Sequence, residues 1–291
     1  MDETSDDEVT HSPDEGVVEG ESSPGEHGDW TDEIDALATA ICEAERVVAL
    51  TGAGISAPSG VPTFRGDDGV WERFEEGQFT FGRFQRDPSG FWRDRLALRR
   101  EMYGDDGFET NEGHRALAEL EGDGHLDAIV TQNTDGLHAR AAAGVGDDDS
   151  DAELIELHGN ARRVRCPDCG RRESAEEVAS RVENGDVPPQ CSCGTVLKPD
   201  VVLFGERLPG AALQRARSLA SESDVFLAIG SSLVVEPAAS LPRLAAGTGA
   251  TVGIVNLAET PVDEMAHHVV RADVTAALPR LRESVANQST S

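Results

Sequence analysis

Arg46-Val47-Val48-Ala49-Leu50-Thr51-Gly52-Ala53-Gly54-Ile55-Ser56 joins an apolar run to a glycine turn, and the architecture of the chain follows from it. Val47 to Leu50 form a short apolar run with no polar face, which predicts a strand buried on both sides. Ile34, Leu37, Ala38 and Ile41 precede it at helical spacing, so the order is helix, buried strand, glycine turn. The same strand character returns at Ala128-Ile129-Val130, Val225-Phe226-Leu227-Ala228-Ile229, Val252-Gly253-Ile254-Val255 and, more weakly, His268-Val269-Val270. Helical stretches lie between them, at His114 to Glu121, Ala211 to Ser221 and Ala238 to Ala246. Such alternation predicts an α/β fold, a Rossmann-like parallel sheet with helices on both faces.

Two segments interrupt the alternation. Residues 66–110 are helix-prone and aromatic, with Phe74, Phe79, Phe81, Phe84, Phe91 and Trp92, and residues 161–199 carry four cysteines. A helical insertion and a zinc module are expected there, forming a smaller domain over the strand ends. The Rossmann-like domain then comprises residues 30–65, 111–160 and 200–285. Residues 1–29 hold many Asp and Glu but no Lys or Arg, too little apolar surface to offset ordering entropy, and predict a disordered acidic tail. Residues 286–291 are expected to fray.

The 291-residue chain has a formal net charge of −30, and among its 25 Lys and Arg residues Lys198 is the single lysine. An acidic surface without a basic stripe argues against nucleic-acid binding. It suits concentrated salt, which screens repulsion among carboxylates over a few ångströms, and a halophilic cytoplasm is the expectation. The chain opens on acidic residues rather than a basic-then-apolar leader and has no long apolar run, so neither export nor a membrane partner is expected.

Cys166-Pro167-Asp168-Cys169 and Cys191-Ser192-Cys193 are separated by twenty-one residues. One C-x-x-C alone fits a redox dithiol. A second pair at this distance points instead to one tetrahedral Zn²⁺ held by Cys166, Cys169, Cys191 and Cys193. Four thiolates leave no position for water, so that zinc is structural. Cys42, the fifth cysteine, sits in a helical pattern and reads as a small core residue.

Gly52-Ala53-Gly54 lacks the third glycine of the usual dinucleotide fingerprint and, read alone, fits a plain strand-to-helix turn as well as a phosphate site. Small residues and prolines then delay the helix as far as Phe64 and Arg65, an aromatic beside a guanidinium that can clamp phosphate or ribose. Gln132-Asn133-Thr134-Asp135 gathers polar groups at a strand end, where Asp135 also fits a helix cap. His158 fits either a structural histidine or a proton acceptor at neutral pH.

Taken together, these blocks resemble the sirtuins, NAD-dependent protein lysine deacylases, over about residues 30–282. Further blocks carry the resemblance: Glu156-Leu157-His158-Gly159-Asn160, Lys198-Pro199-Asp200-Val201-Val202-Leu203-Phe204-Gly205-Glu206, Gly230-Ser231-Ser232-Leu233-Val234-Val235-Glu236-Pro237-Ala238 and Val255-Asn256-Leu257. The resemblance implies an NAD-dependent protein lysine deacetylase acting on acetylated lysine in proteins or peptides. The acetyl group passes to ADP-ribose, releasing nicotinamide, O-acetyl-ADP-ribose and free lysine, so NAD is a co-substrate.

By the same resemblance His158, Asn133 and Asp135 are catalytic. His158 takes a proton from a ribose hydroxyl, Asn133 contacts the ribose and an ordered water, and Asp135 holds the nicotinamide carboxamide. Gly52, Ala53, Gly54, Phe64, Arg65, Gln132, Gly230, Ser231, Ser232, Asn256 and Leu257 are the other implied NAD contacts, with Phe64 blocking the return of nicotinamide. Val202, Phe204, Gly205, Glu206 and Val235 are the implied peptide contacts, the peptide lying as an added strand. Sirtuins that prefer succinyl or malonyl lysine carry a tyrosine and an arginine where this chain has Arg95 and Leu98, so neutral acyl groups are expected, acetyl first. Mono-ADP-ribosyl transfer to protein and NAD sensing without turnover are the alternatives. Hydride transfer is disfavoured, because no acidic ribose-binding residue follows the glycine turn at the usual distance.

Overall fold

A computed structural model describes residues 30–62, 75–103, 107–145 and 152–290. Phe64, Arg65, Phe74 and the acidic segment 1–29 lie outside the described residues. Strands β1 (Val47–Thr51), β2 (Ala128–Thr131) and β3 (Glu153–Glu156) belong to one sheet, and β4 (Gly159–Arg165), β5 (Arg172–Ser174) and β6 (Lys198–Val201) to another. The chain then returns to the first sheet with β7 (Val225–Ile229), β8 (Thr251–Val255) and β9 (His268–Val270).

The six-stranded sheet runs β3-β2-β1-β7-β8-β9 and every pairing in it is parallel. Strand order reverses at β1, which pairs Val48 with Ala128 on one side and Val47 with Val225 on the other. Val47 and Ala49 face one apolar core while Val48 and Leu50 face a second, as the two-residue period of a strand requires. Helices α1 (Thr31–Glu43), α4 (Glu112–Gly122) and α9 (Val274–Ser289) supply the first core. Helices α7 (Gly210–Glu222) and α8 (Leu241–Gly247) supply the second. The doubly covered parallel sheet expected from the sequence is present.

One expectation fails. α9 continues to Ser289 instead of fraying from residue 286. Val285 is fully buried against α1, Thr39 Oγ1 donates to Gln288 Oε1 at 3.0 Å, and Gln288 Nε2 donates to Asp35 O at 3.3 Å. These contacts tie the last turn to α1. Cys42, half-buried, packs on the same seam with its Sγ 3.6 Å from Val285 O.

The second sheet is antiparallel, in the order β5-β4-β6. Its apolar side packs with α6 (Ala175–Glu183) and with helices α2 (Phe81–Arg86) and α3 (Pro88–Tyr103) of the insertion. Phe79, Phe84, Phe91 and Trp92 share that core with Val164, Cys166, Val178 and Leu197. Phe84 and Phe91 meet edge to face at 5.3 Å, and Trp92 Nε1 donates to Leu197 O at 2.9 Å. Burying each such aromatic contributes about 2–3 kcal/mol, so the insertion and the cysteine module stabilise each other. No helix among the described residues is long and apolar enough to cross a membrane.

Candidate active site

Five parallel strands deliver their following residues to one edge of the main sheet: Gly52 to Gly54 after β1, Gln132 to Asp135 after β2, His158 after β3, Gly230 to Ser232 after β7, and Asn256 and Leu257 after β8. Ligands of open α/β sheets bind beyond the carboxyl ends of the strands, where strand order reverses. The β1 and β7 turns interlock there. Gly52 N donates to Ile229 O at 3.0 Å and Gly54 N to Gly230 O at 2.7 Å. A Cβ on Gly54 would stand 2.7 Å from Gly230 Cα, and one on Gly230, whose φ is +57°, would stand 2.4 Å from Ile55 N. Only glycine fits at these positions, and backbone therefore lines the floor of the cleft.

The polar side chains are ordered by hydrogen bonds whose directions can be deduced. Asn133, buried, donates from Nδ2 to Gly52 O at 3.0 Å and to Ser56 Oγ at 3.1 Å. Both amide hydrogens are engaged, and Oδ1 has no hydrogen bond among the described residues, which leaves an acceptor for a hydroxyl or water. Ser231 Oγ accepts from Gln132 Nε2 at 3.0 Å and from Leu233 N at 3.3 Å, so its own proton is available to an anion or a ribose oxygen. Leu233 holds a left-handed φ of +52°, and Val234 and Val235, next in sequence, are exposed.

His158 is half-buried and its Nδ1 lies 2.9 Å from Gln132 O. A carbonyl can only accept, so Nδ1 carries the hydrogen and Nε2 presents a lone pair. Burial lowers the imidazole pKa and the bond to Gln132 pushes back, which keeps the ring neutral at neutral pH. Asp135 is buried and capped by Leu137 N at 2.9 Å. Burial raises its pKa, while the Leu137 amide, the Ser56 hydroxyl and Arg162 oppose that shift.

Beneath these groups lies a layer the sequence reading did not assign. Thr51 Oγ1 donates to Thr131 Oγ1 at 2.8 Å and therefore accepts from His138 Nε2 at 2.9 Å, while Thr131 Oγ1 accepts from Asn133 N at 3.1 Å. Ser56 Oγ contacts His114 Nε2 at 3.3 Å, and the two imidazoles meet edge to face at 5.1 Å. Burial pushes His114 down to about 4 and His138 down to about 3, so both are neutral. Ser56 ends the first stretch quoted, His138 lies three residues beyond the Gln132–Asp135 block, and His114 opens a predicted helix. The missing signal was their burial, which no pattern in one sequence displays.

Segment 201–206 flanks the cleft. Val202 N donates to His158 O at 2.9 Å, Phe204 N to Phe79 O at 3.3 Å, and Phe81 N to Phe204 O at 2.9 Å. Phe204, Val234, Val235 and Leu257 are exposed large apolar side chains at this edge of the molecule. Leu98 is 2 % exposed in the small-domain core, and Arg95 lines a small cavity between α3 and the β4–α6 layer.

The four cysteines converge. Their Sγ atoms all lie within 4.8 Å of one another, with Cys166–Cys193 at 3.5 Å and Cys169–Cys191 at 3.6 Å. Tetrahedral Zn–S bonds of about 2.3 Å place sulfurs about 3.8 Å apart, so the donor set fits zinc. Sulfur fills all four positions, which makes the site structural.

Residues 52–237 match the Sir2 family. A protein of Haloarcula marismortui named NAD-dependent protein deacetylase is 54% identical over 251 residues, covering 86% of this chain and 94% of that protein. One of the same name from Saccharolobus solfataricus is 40% identical over 251 residues, covering 86% and 96%. Among solved structures, Sir2 with a deacetylated p53 peptide and 3'-O-acetyl ADP-ribose has a TM-score of 0.74 at 36% identity, covering 86% of this chain and 97% of that one. A Sir2–p53 peptide–NAD+ structure has a TM-score of 0.72 at 35% identity, covering 87% and 98%. On the family match and on these identities alike, the chain belongs to the Sir2 family.

Proposed function

We propose that this chain is an NAD-dependent protein lysine deacetylase. The single observation that carries the reading is His158, whose Nδ1 is fixed on Gln132 O so that Nε2 is the proton acceptor where the strand-end loops meet segment 201–206. NAD⁺ supplies a ribose carbon that gives up nicotinamide, and the resulting ADP-ribose takes the acetyl group from lysine.

The chain's residues position and deprotonate. Gly52, Ala53 and Gly54 let the backbone approach the pyrophosphate, and Ser231 and Ser232 meet phosphate or ribose. Asn133 Oδ1 receives a ribose hydroxyl or the attacking water, and Asp135 holds the nicotinamide carboxamide beside it. His158 Nε2 takes the proton of a ribose hydroxyl so that its oxygen can accept the acetyl carbon. Asn256 and Leu257 reach the adenosine end, Phe64 blocks the return of nicotinamide, and Arg65 meets phosphate or ribose. Val202, Phe204, Gly205, Glu206 and Val235 bind the acetyl-lysine peptide as an added strand. Arg95 and Leu98 stand where sirtuins that prefer acidic acyl groups carry a tyrosine and an arginine, which favours acetyl.

The test is one reaction: acetyl-lysine peptide with NAD⁺, followed by mass spectrometry. Nicotinamide with acetyl-ADP-ribose is the expected result. A mass gain of ADP-ribose on protein indicates transferase chemistry, and binding without nicotinamide release indicates a sensor. His158→Ala is expected to lower kcat by about a hundredfold or more, and unchanged turnover removes His158 from the reaction. Because burial lowers the His158 pKa, the acid limb of kcat should fall below the ordinary histidine value of about 6.5.

The net charge of −30 further supports a salt-loaded cytoplasm as the working environment. Stability and activity should rise from dilute buffer to molar KCl. Indifference to salt ends that reading.

A further inference from the structure

Lys198 is the only lysine in the chain, where every other basic residue is arginine. Something at this position selects an ammonium over a guanidinium. Its side chain is 14% exposed, and Nζ donates to Val201 O at 2.7 Å and to Glu206 Oε2 at 2.9 Å. The same Glu206 Oε2 accepts from Leu203 N at 3.0 Å, and Glu206 N donates to Leu203 O at 2.9 Å. Three donor groups, Lys198 Nζ, Leu203 N and Glu206 N, thus make four hydrogen bonds to three oxygens within residues 198–206. A compact ammonium with divergent hydrogens satisfies that geometry, whereas a planar fork on a longer head does not.

The turn so closed is the one beside the reacting groups. Lys198 is rooted in β6, paired with Arg165 of β4, so the clip is built on the small sheet. At its far side Val202 N is bonded to His158 O, and Phe204 is bonded through both N and O to the insertion at Phe79 and Phe81. Val202 O has no hydrogen bond among the described residues. Burial lowers the Lys198 pKa while Glu206 and Asp200 hold it up, as a caged cation requires.

We propose that Lys198 is a positioning residue for peptide binding, its ammonium clipped between Val201 O and Glu206 so that residues 201–206 form a fixed edge for the acetyl-lysine peptide. The proposal rests on the deacetylase reading above. Loss of the clip leaves Glu206 partly buried with one partner fewer and frees the turn on the peptide side, while the β1 and β7 glycine turns are untouched.

The experiment compares wild type with Lys198→Met, Lys198→Arg and Glu206→Gln. It measures KM for an acetyl-lysine peptide, KM for NAD⁺, kcat, zinc content and amide exchange. Lys198→Met removes both ammonium hydrogen bonds and should raise the peptide KM by about tenfold, with KM for NAD⁺ and kcat within about twofold and zinc unchanged. The Leu203 amide should exchange at least about tenfold faster while β1 amides keep their protection. Lys198→Arg should restore less than half of the loss.

An unchanged peptide KM, equal rises in both KM values, full rescue by arginine, or an unaltered Leu203 amide each overturn the proposal. The deacetylase reading fails separately. Wild-type protein that binds acetyl-peptide without releasing acetyl-ADP-ribose removes the reaction, while peptide affinity and Leu203 exchange still judge Lys198.

Discussion

β1 and β7 bury every residue between two layers of helices, whereas β5 exposes two of its three residues and β4 alternates buried positions with arginine. The main sheet stands on apolar area on both faces. The small sheet has one apolar side, filled largely by aromatics from a distant insertion, and a cysteine cluster at its end. Both regions line the cleft, since His158 follows a strand of one sheet and is bonded through its carbonyl to the segment that follows a strand of the other. The lesson is that the site depends on a region that apolar burial alone holds poorly.

Metal removal is the hardest blow to that contrast. Structural zinc contributes about 10 kcal/mol in small modules, more than the net stability of most domains. Cys191→Ser, or chelation, should abolish amide protection across β4, β5 and β6 and with it acetyl-lysine turnover, while β1 and β7 stay protected. Retained protection in zinc-free protein would mean that the aromatic core suffices and that the contrast is false.

A pair of glycine substitutions tests the two regions at smaller cost. Gly54→Ala in the main domain drives a methyl to within 2.8 Å of Gly230 O and 2.7 Å of Gly230 Cα, backbone atoms that cannot swing aside as a side chain would. It is expected to cost about 2–3 kcal/mol in a urea titration and to weaken NAD⁺ binding. Gly82→Ala in α2 of the small domain meets nothing within 4 Å and should be neutral or stabilise by up to about 1 kcal/mol. Equal effects at the two sites would show that the interlocked turns are looser than their contacts imply.

The same asymmetry explains what the sequence made legible. β1, β2, β7 and β8 are continuous apolar runs, because strands buried on both faces can carry nothing else. α4 and α7 were placed to within a few residues of Glu112–Gly122 and Gly210–Glu222. β4, which reads Gly-Asn-Ala-Arg-Arg-Val-Arg, was invisible, because half its side chains are long cations lying along the surface and pairing with acids such as Glu156 and Asp200. The quoted strand-end blocks do come together, with Gln132 on Ser231, Asn133 on Gly52 and Val202 on His158. The polar layer below them did not show itself, since Thr51 looks like the end of an apolar run and His138 like one polar residue among several. Their pairing is a contact across 87 positions, which spacing cannot encode.

That hidden layer also gives the two regions different responses to acid. Neither residues 66–110 nor 161–199 contain a histidine, whereas His114 and His138 are buried and neutral under the main sheet edge. Their folded pKa values, about 4 and about 3, lie below the ordinary histidine value of about 6.5. The unfolded chain therefore binds more protons once pH drops below 6.5, and the stability that is fully present above that point declines as pH falls toward the folded values. Each imidazole is expected to remove about 1 kcal/mol between pH of about 6.5 and about 5.5. His138→Gln retains an N–H for Thr51 and discards the titration, so its stability should fall less steeply than wild type by about that amount. His158 titrates alike in both proteins, and the window stays above most carboxylates, so the difference isolates His138. Urea midpoints across the window supply the measurement, and parallel slopes would mean that His138 already titrates in the folded protein and that the buried layer is open to water.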